Sequence, residues 1–147
     1  MEMLLLLMAI LAGALVPVQA GLNMVLRQHL ADPSQAAFIS FAVGTLVLLA
    51  YCLALRHQWP SLAEMGRIPP VLWIGGAFGA FFVATTIFLG PRLGAATMTA
   101  FMLSGQLAAS LLLDHYGVIG FPEHAVSPWR IAGVVLLGVG AWMVKAF

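Results

Sequence analysis

From Met3 to Leu26 the chain runs without one charged side chain, and Gln35–Leu55, Pro70–Leu89 and Leu93–Leu113 do the same. A fifth run, Arg130–Phe147, carries charge only at Arg130 and Lys145, near its ends. Crossing the hydrocarbon of a bilayer as a helix takes about 20 predominantly apolar residues, so each run is long enough to span. Charged residues make up 7% of the sequence, against roughly a quarter in a soluble domain. Too little polar surface exists to clothe a water-facing globule. The expectation is an all-α integral membrane protein, residues 1–147 forming a single domain of five transmembrane helices.

The breaks between the runs have local causes. "RQHLADPS" brings charges and Pro33, and "RHQWPSLAEMGRIPP" brings charges, Gly66 and three prolines. "GPR" predicts a tight turn at Gly90-Pro91, and "GVIGFPEHAVSP" reads as a polar loop. The opening apolar stretch has no Lys or Arg before it and continues past Gly21, so it reads as a retained helix rather than a cleaved signal. Cys52, the one cysteine, sits in an apolar run and reads as packing. The net charge of +1 has no basic cluster behind it, which argues against nucleic acid as a partner.

Five crossings put the termini on opposite sides. On the N-terminal side, called side A, lie Arg56, Arg67 and Arg130; on side B lie Arg27, Arg92 and Lys145. Orientation is normally set by an excess of Lys and Arg in cytoplasmic loops. Here the sides tie, so the chain is expected to insert either way up. Two copies in opposite orientations could then pair about an axis in the membrane plane, the arrangement that inverted-repeat transporters build within one chain.

Lipid gives helices no hydrophobic reason to associate, so small residues must allow close packing. The fourth span carries Ala96, Ala100, Ser104 and Ala108 at four-residue spacing; the second carries Ala36, Ser40 and Gly44; the third pairs Gly75 with Gly79. The glycine-rich run of the third span lacks the strand-then-helix setting of a phosphate loop. At about 100° per residue, Thr99, Gln106 and Ser110 share a stripe away from the small ridge of the fourth span. On the first span Gln19 and Asn23 stand one turn apart, just after Pro17, which removes the bond to the Gly13 carbonyl and favours a kink. Thr85 and Thr86 add hydroxyls on the third span. Amides in hydrocarbon need partners or water: these side chains either bond across helices or line a substrate pathway.

No ionisable residue lies near the middle of any span. The nearest is Asp114, with His115 beside it, at the side-A end of the fourth span. Asp114 opposes the helix dipole there and should be compensated, by pairing with Arg130 or Arg56, or it serves as a gating or coupling carboxylate. Trp59, Trp73 and Trp129 toward side A and Trp142 toward side B suit headgroup anchoring. His29, His57 and His124 lack metal-ligand spacing, no nucleophile-plus-base set stands out, and neither cofactor nor enzymatic activity is expected.

The motifs "PVQAGLN" (Pro17 to Asn23), "ISFAVGTL" (Ile39 to Leu46), "WIGGAFGAFFV" (Trp73 to Val83), "PRLGAATM" (Pro91 to Met98), "SGQLAASLLLDHYGVIG" (Ser104 to Gly120) and "WRIAGVVLLGVG" (Trp129 to Gly140) run in order through nearly the whole chain. Together they resemble the YdcZ-type family of the drug/metabolite transporter superfamily. The resemblance implies a multi-pass protein of the bacterial inner membrane and half of a ten-helix fold, completed by an antiparallel copy or an oppositely oriented paralogue. It further implies alternating access for a small organic metabolite or lipophilic compound. The chain lacks the first-span glutamate of the small multidrug exporters, distant cousins, and carries Gln19 and Asn23 on the comparable helix. A dual-orientation channel and a non-transporting assembly or lipid-organising protein are the other readings.

Overall fold

The first helix, α1 (Glu2–Arg27), opens on an acid and closes on a base, so both end charges favour its dipole. It stays helical through Pro17. We describe residues 2–147 in a computed structural model, and within them every regular element is helical. α2 (Pro33–Ala54) begins at an Asp32 cap, whose Oδ1 accepts from the Ser34 N–H at 2.7 Å, with Pro33 fitting the first turn. Those hydrogen bonds from Ser34, with a smaller contribution from the charge on Arg27, hold the Asp32 carboxyl below the usual carboxylate range.

The connection on side A contains a short helix, α3 (Leu62–Met65), closed by a capping box in which Ser61 and Glu64 satisfy each other's backbone N–H. A 3-10 turn, Pro70–Ile74, then leads into α4 (Gly75–Leu93). Here the structure departs from the expected turn at Gly90-Pro91: the helix continues to Leu93, and the chain breaks at Gly94. Pro91 lacks only one N–H and carries a φ that a helix accepts, whereas Gly94 takes φ +77°, a region that side chains avoid.

α5 (Ala95–Tyr116) ends at Gly117, left-handed at φ +56°, and α6 (Pro128–Ala146) starts from a Ser127 cap. Five helical segments, Glu2–Arg27, Pro33–Ala54, Pro70–Leu93, Ala95–Tyr116 and Pro128–Ala146, are long and apolar enough to cross a membrane.

The helices form two compact units, one ending at Pro91 and one starting at Arg92. In the first, Ala36 and Ala37 of α2 pack with Val83 and Ile87 of α4, flanked by Leu26 and Leu30. Ala36 and Ile87 are completely buried. A methyl-sized residue opposite a branched one lets these backbones approach, the small-residue logic of membrane packing. In the second unit α5 and α6 pair, with Met98 and Ala141 buried.

Candidate functional site: a polar stripe on the first helix

The core of the first unit lies toward side B, because its residues come from the end of α1, the start of α2 and the end of α4. Farther from it, α1 and α2 enclose an open cleft of about 210 Å³ lined by Gln19, Ser40, Phe41, Gly44, Thr45 and Leu48. Gln19 stands eight residues before Arg27, about 12 Å along the axis at 1.5 Å per residue, and hence deep in the hydrocarbon. Every polar group lining the cleft is a neutral amide or hydroxyl. The Phe41 ring, which forms one wall, also lies against Gly79 of α4, where an added Cβ would sit 3.3 Å from its Cζ.

One turn beyond Gln19, Asn23 is 5% exposed, and its Nδ2 has no hydrogen-bond partner. A further turn on, Arg27 joins Gln28, Gly21, Met24, Gly90 and Pro91 around a second and larger cleft of about 720 Å³. Gly90 is buried against Met24 of α1, whose thioether would have to shift to make room for an added Cβ. Among the described residues, no hydrogen bond joins the side chain of Gln19, Asn23 or Gln106 to another helix.

Pro17 and Thr85 are partly buried; Thr86 is buried and donates its hydroxyl to the Val83 carbonyl at 2.8 Å, within its own helix. In the second unit Thr99 is partly buried, while Gln106 is exposed on α5. Ser110, Asp114 and Arg130 line a cleft of about 360 Å³ between α5 and α6. Asp114 forms an ion pair with Arg130, the compensation that its place at a helix C-terminus requires. Arg130 Nη1 also donates to the His124 carbonyl at 2.9 Å, and the His124 N–H donates to the Asp114 carbonyl at 2.7 Å, folding the loop back over the helix ends. His115 is exposed and accepts from the Val126 N–H at 3.4 Å. Of the small residues, Gly79 meets a neighbouring helix; Gly75 has nothing near enough to touch an added Cβ; Ala96 and Ala108 are exposed. Ala100 and Ser104 are partly buried, and the Ser104 hydroxyl bonds back to the Ala100 carbonyl.

The order of the motifs and of the five spans is matched by one family model, described as "Putative inner membrane exporter, YdcZ", over residues 4–143. The chain belongs to the YdcZ family. It is also 33% identical over 135 residues to the inner membrane protein YdcZ of Escherichia coli strain K12, covering 86% of this chain and 90% of that one. No solved structure matches. The protein is thus a multi-pass member of an inner-membrane family, and the matched residues include Pro17, Gln19 and Asn23.

Several lining residues of this YdcZ chain were not legible as such. Ser40 and Gly44 read as a packing ridge, and Thr45, Phe41, Arg27 and Gln28 carried no site signal. A small-residue ridge makes room whether a helix or a ligand fills it, and only the position of the neighbouring helix tells the two apart. The available hint was Ser40 and Thr45, two hydroxyls within a few residues on a span otherwise almost free of hydrogen-bonding side chains.

Proposed function

We propose that this YdcZ-family protein is one subunit of a transporter that carries a small organic molecule across the inner membrane by alternating access. The observation that carries the reading is the state of Gln19. Its amide lies at depth, faces a cleft with Ser40 and Thr45, and is bonded to no helix. An amide serving as interhelical glue would be paired, because leaving it unpaired in hydrocarbon costs several kcal/mol by the cyclohexane scale, about 4 or more. Gln19, Asn23, Thr85 and Thr86 of the first unit, with Thr99, Gln106 and Ser110 of the second, form the proposed pathway set. Pro17 leaves the Gly13 carbonyl without its intrahelical donor, a soft point about which α1 can rock. Asp114 with Arg130 forms the gate on side A, steadied by His115 through the loop.

The working unit of this proposal is an antiparallel homodimer, or a pair with an oppositely oriented paralogue, giving ten helices in all. Two facts support it. The positive charges tie across the membrane, three to three. The residues from Met3 to Leu15 are all exposed, so that half of α1 is left uncovered by the other helices of its unit. A second copy inserted the other way up would cover it.

Proteoliposome counterflow tests the reading. Gln19→Leu together with Gln106→Leu abolishes saturable exchange while the dimer still assembles; unimpaired exchange removes the amides from the path. Single-channel currents in place of saturation would make the protein a pore, and neither flux nor current across a broad panel would leave an assembly role. Three lysines added to the Arg56–Arg67 loop force side A inward and abolish function until an oppositely biased copy is co-expressed. Full activity of the biased copy alone would overturn the antiparallel pair.

A further inference from the structure

Gln19, Asn23 and Arg27 stand at i, i+4 and i+8 on α1, so each lies one turn, about 6 Å, beyond the last. Gln19 lines the deep cleft, Arg27 lines the large cleft at the side-B end, and Asn23 lies between, buried with an unpaired N–H. What the stripe can offer is lopsided. Arg27 has only donors, Asn23 has a free donor, and neither cleft is lined by an acid. The nearest carboxylate to feel Arg27, that of Asp32, is engaged in capping α2. The Arg27 guanidinium donates no hydrogen bond to the described residues. Apart from the neutral amide of Gln28, the rest of the large cleft is apolar or small, with Met24, Val25 and Leu30 as its bulky apolar walls.

We infer that this stripe is a donor track that selects a small amphipathic organic anion, its acidic head on Arg27 and its apolar body against Met24, Val25 and Leu30. The inference rests on the transporter reading for its purpose, but the binding chemistry stands apart from it. A cavity of about 720 Å³ is within the usual range for small-molecule sites. A cation would meet Arg27 at the mouth and find no carboxylate within. Along α1 the unpaired Asn23 Nδ2 stands one turn deeper than Arg27, and the Gln19 amide one turn beyond that, a row of amide donors leading inward from the cation.

Three bicyclic probes of like size separate the possibilities: 2-naphthoate, 2-naphthamide and 2-naphthylmethylammonium. Binding of each to the purified full-length protein is measured by calorimetry, in detergent and in nanodiscs of phosphatidylcholine with or without phosphatidylglycerol. The naphthoate is expected to bind best. Arg27→Gln should weaken it about tenfold or more, as loss of a charge-assisted hydrogen bond implies, and leave the naphthamide unchanged; Arg27→Lys should restore part of the loss. Preference for the ammonium, no binding of the naphthoate, or indifference to Arg27→Gln would overturn the inference. So would naphthoate binding that phosphatidylglycerol abolishes, since the anion would then be a lipid headgroup. Counterflow of the same probes is read separately. Arg27-dependent binding without exchange would refute transport and keep the anion site, whereas exchange of the ammonium alone would do the reverse.

Discussion

Replacing Asn23 by leucine should make the protein more stable and less able to bind. Asn23 is 5% exposed, with its Nδ2 unpaired. A buried polar group without a partner costs about 1–3 kcal/mol. Leucine also branches at Cγ into two terminal atoms, so the shape is nearly kept and repacking should cost under about 1.5 kcal/mol. Leucine gains little from the transfer itself, because lipid is as apolar as its side chain. The balance is a net gain of about 1 kcal/mol, roughly a fivefold shift in the unfolding equilibrium. Reversible unfolding in mixed SDS micelles, followed by tryptophan fluorescence, measures it, and naphthoate calorimetry on the same sample measures the accompanying loss of affinity. A loss of stability of 1 kcal/mol or more would refute the reasoning. The amide would then be satisfied by a second subunit or by water, and it would not be waiting for a ligand.

Asp114→Asn should cost about 1 kcal/mol, a modest figure because Asp114 and Arg130 are 24% and 35% exposed and partly screened; the exchanged pair Asp114→Arg with Arg130→Asp should recover part of it in the same unfolding assay. Limited proteolysis between Gly117 and Ser127 should speed up in Asp114→Asn, since that loop hangs on the ion pair and on the His124 contacts; unchanged cleavage would separate the loop from the pair. Acid should loosen the start of α2. The Asp32 carboxyl is lowered by its bonds to Ser34, so the cap is intact above the ordinary carboxylate value and is lost as pH falls through the lowered folded value. Hydrogen exchange at Ser34 and Gln35 should therefore rise only below about pH 4, and Asp32→Ala should abolish that pH dependence.

Much of the fold was readable from residues in order. Four charge-free runs and a fifth charged only near its ends match the five apolar helices, whose ends differ by only a few residues. The larger difference was the helix continuing past Gly90-Pro91 to Leu93, although Pro91 cannot donate to the Ile87 carbonyl; the break falls at Gly94, whose positive φ has no flag in composition. The Asp114–Arg130 pair was among the expected partners, since an acid at a helix C-terminus demands a base. Ser40 and Thr45 as cleft walls were not legible, because spacing alone gives a helix face without saying what stands opposite it.

By itself the sequence determined the solvent, the helices and the equal count of Lys and Arg on the two membrane sides. Each follows from terms that act locally: the cost of charge in hydrocarbon, the need of every backbone group in lipid for a partner within its own helix, and a count of Lys and Arg. Only the tertiary structure decided that Ala36 and Ile87 would be buried while Asn23 was left with an unpaired donor. Helix pairing in lipid is settled by shape rather than by hydrophobic drive, and shape belongs to two helices at once.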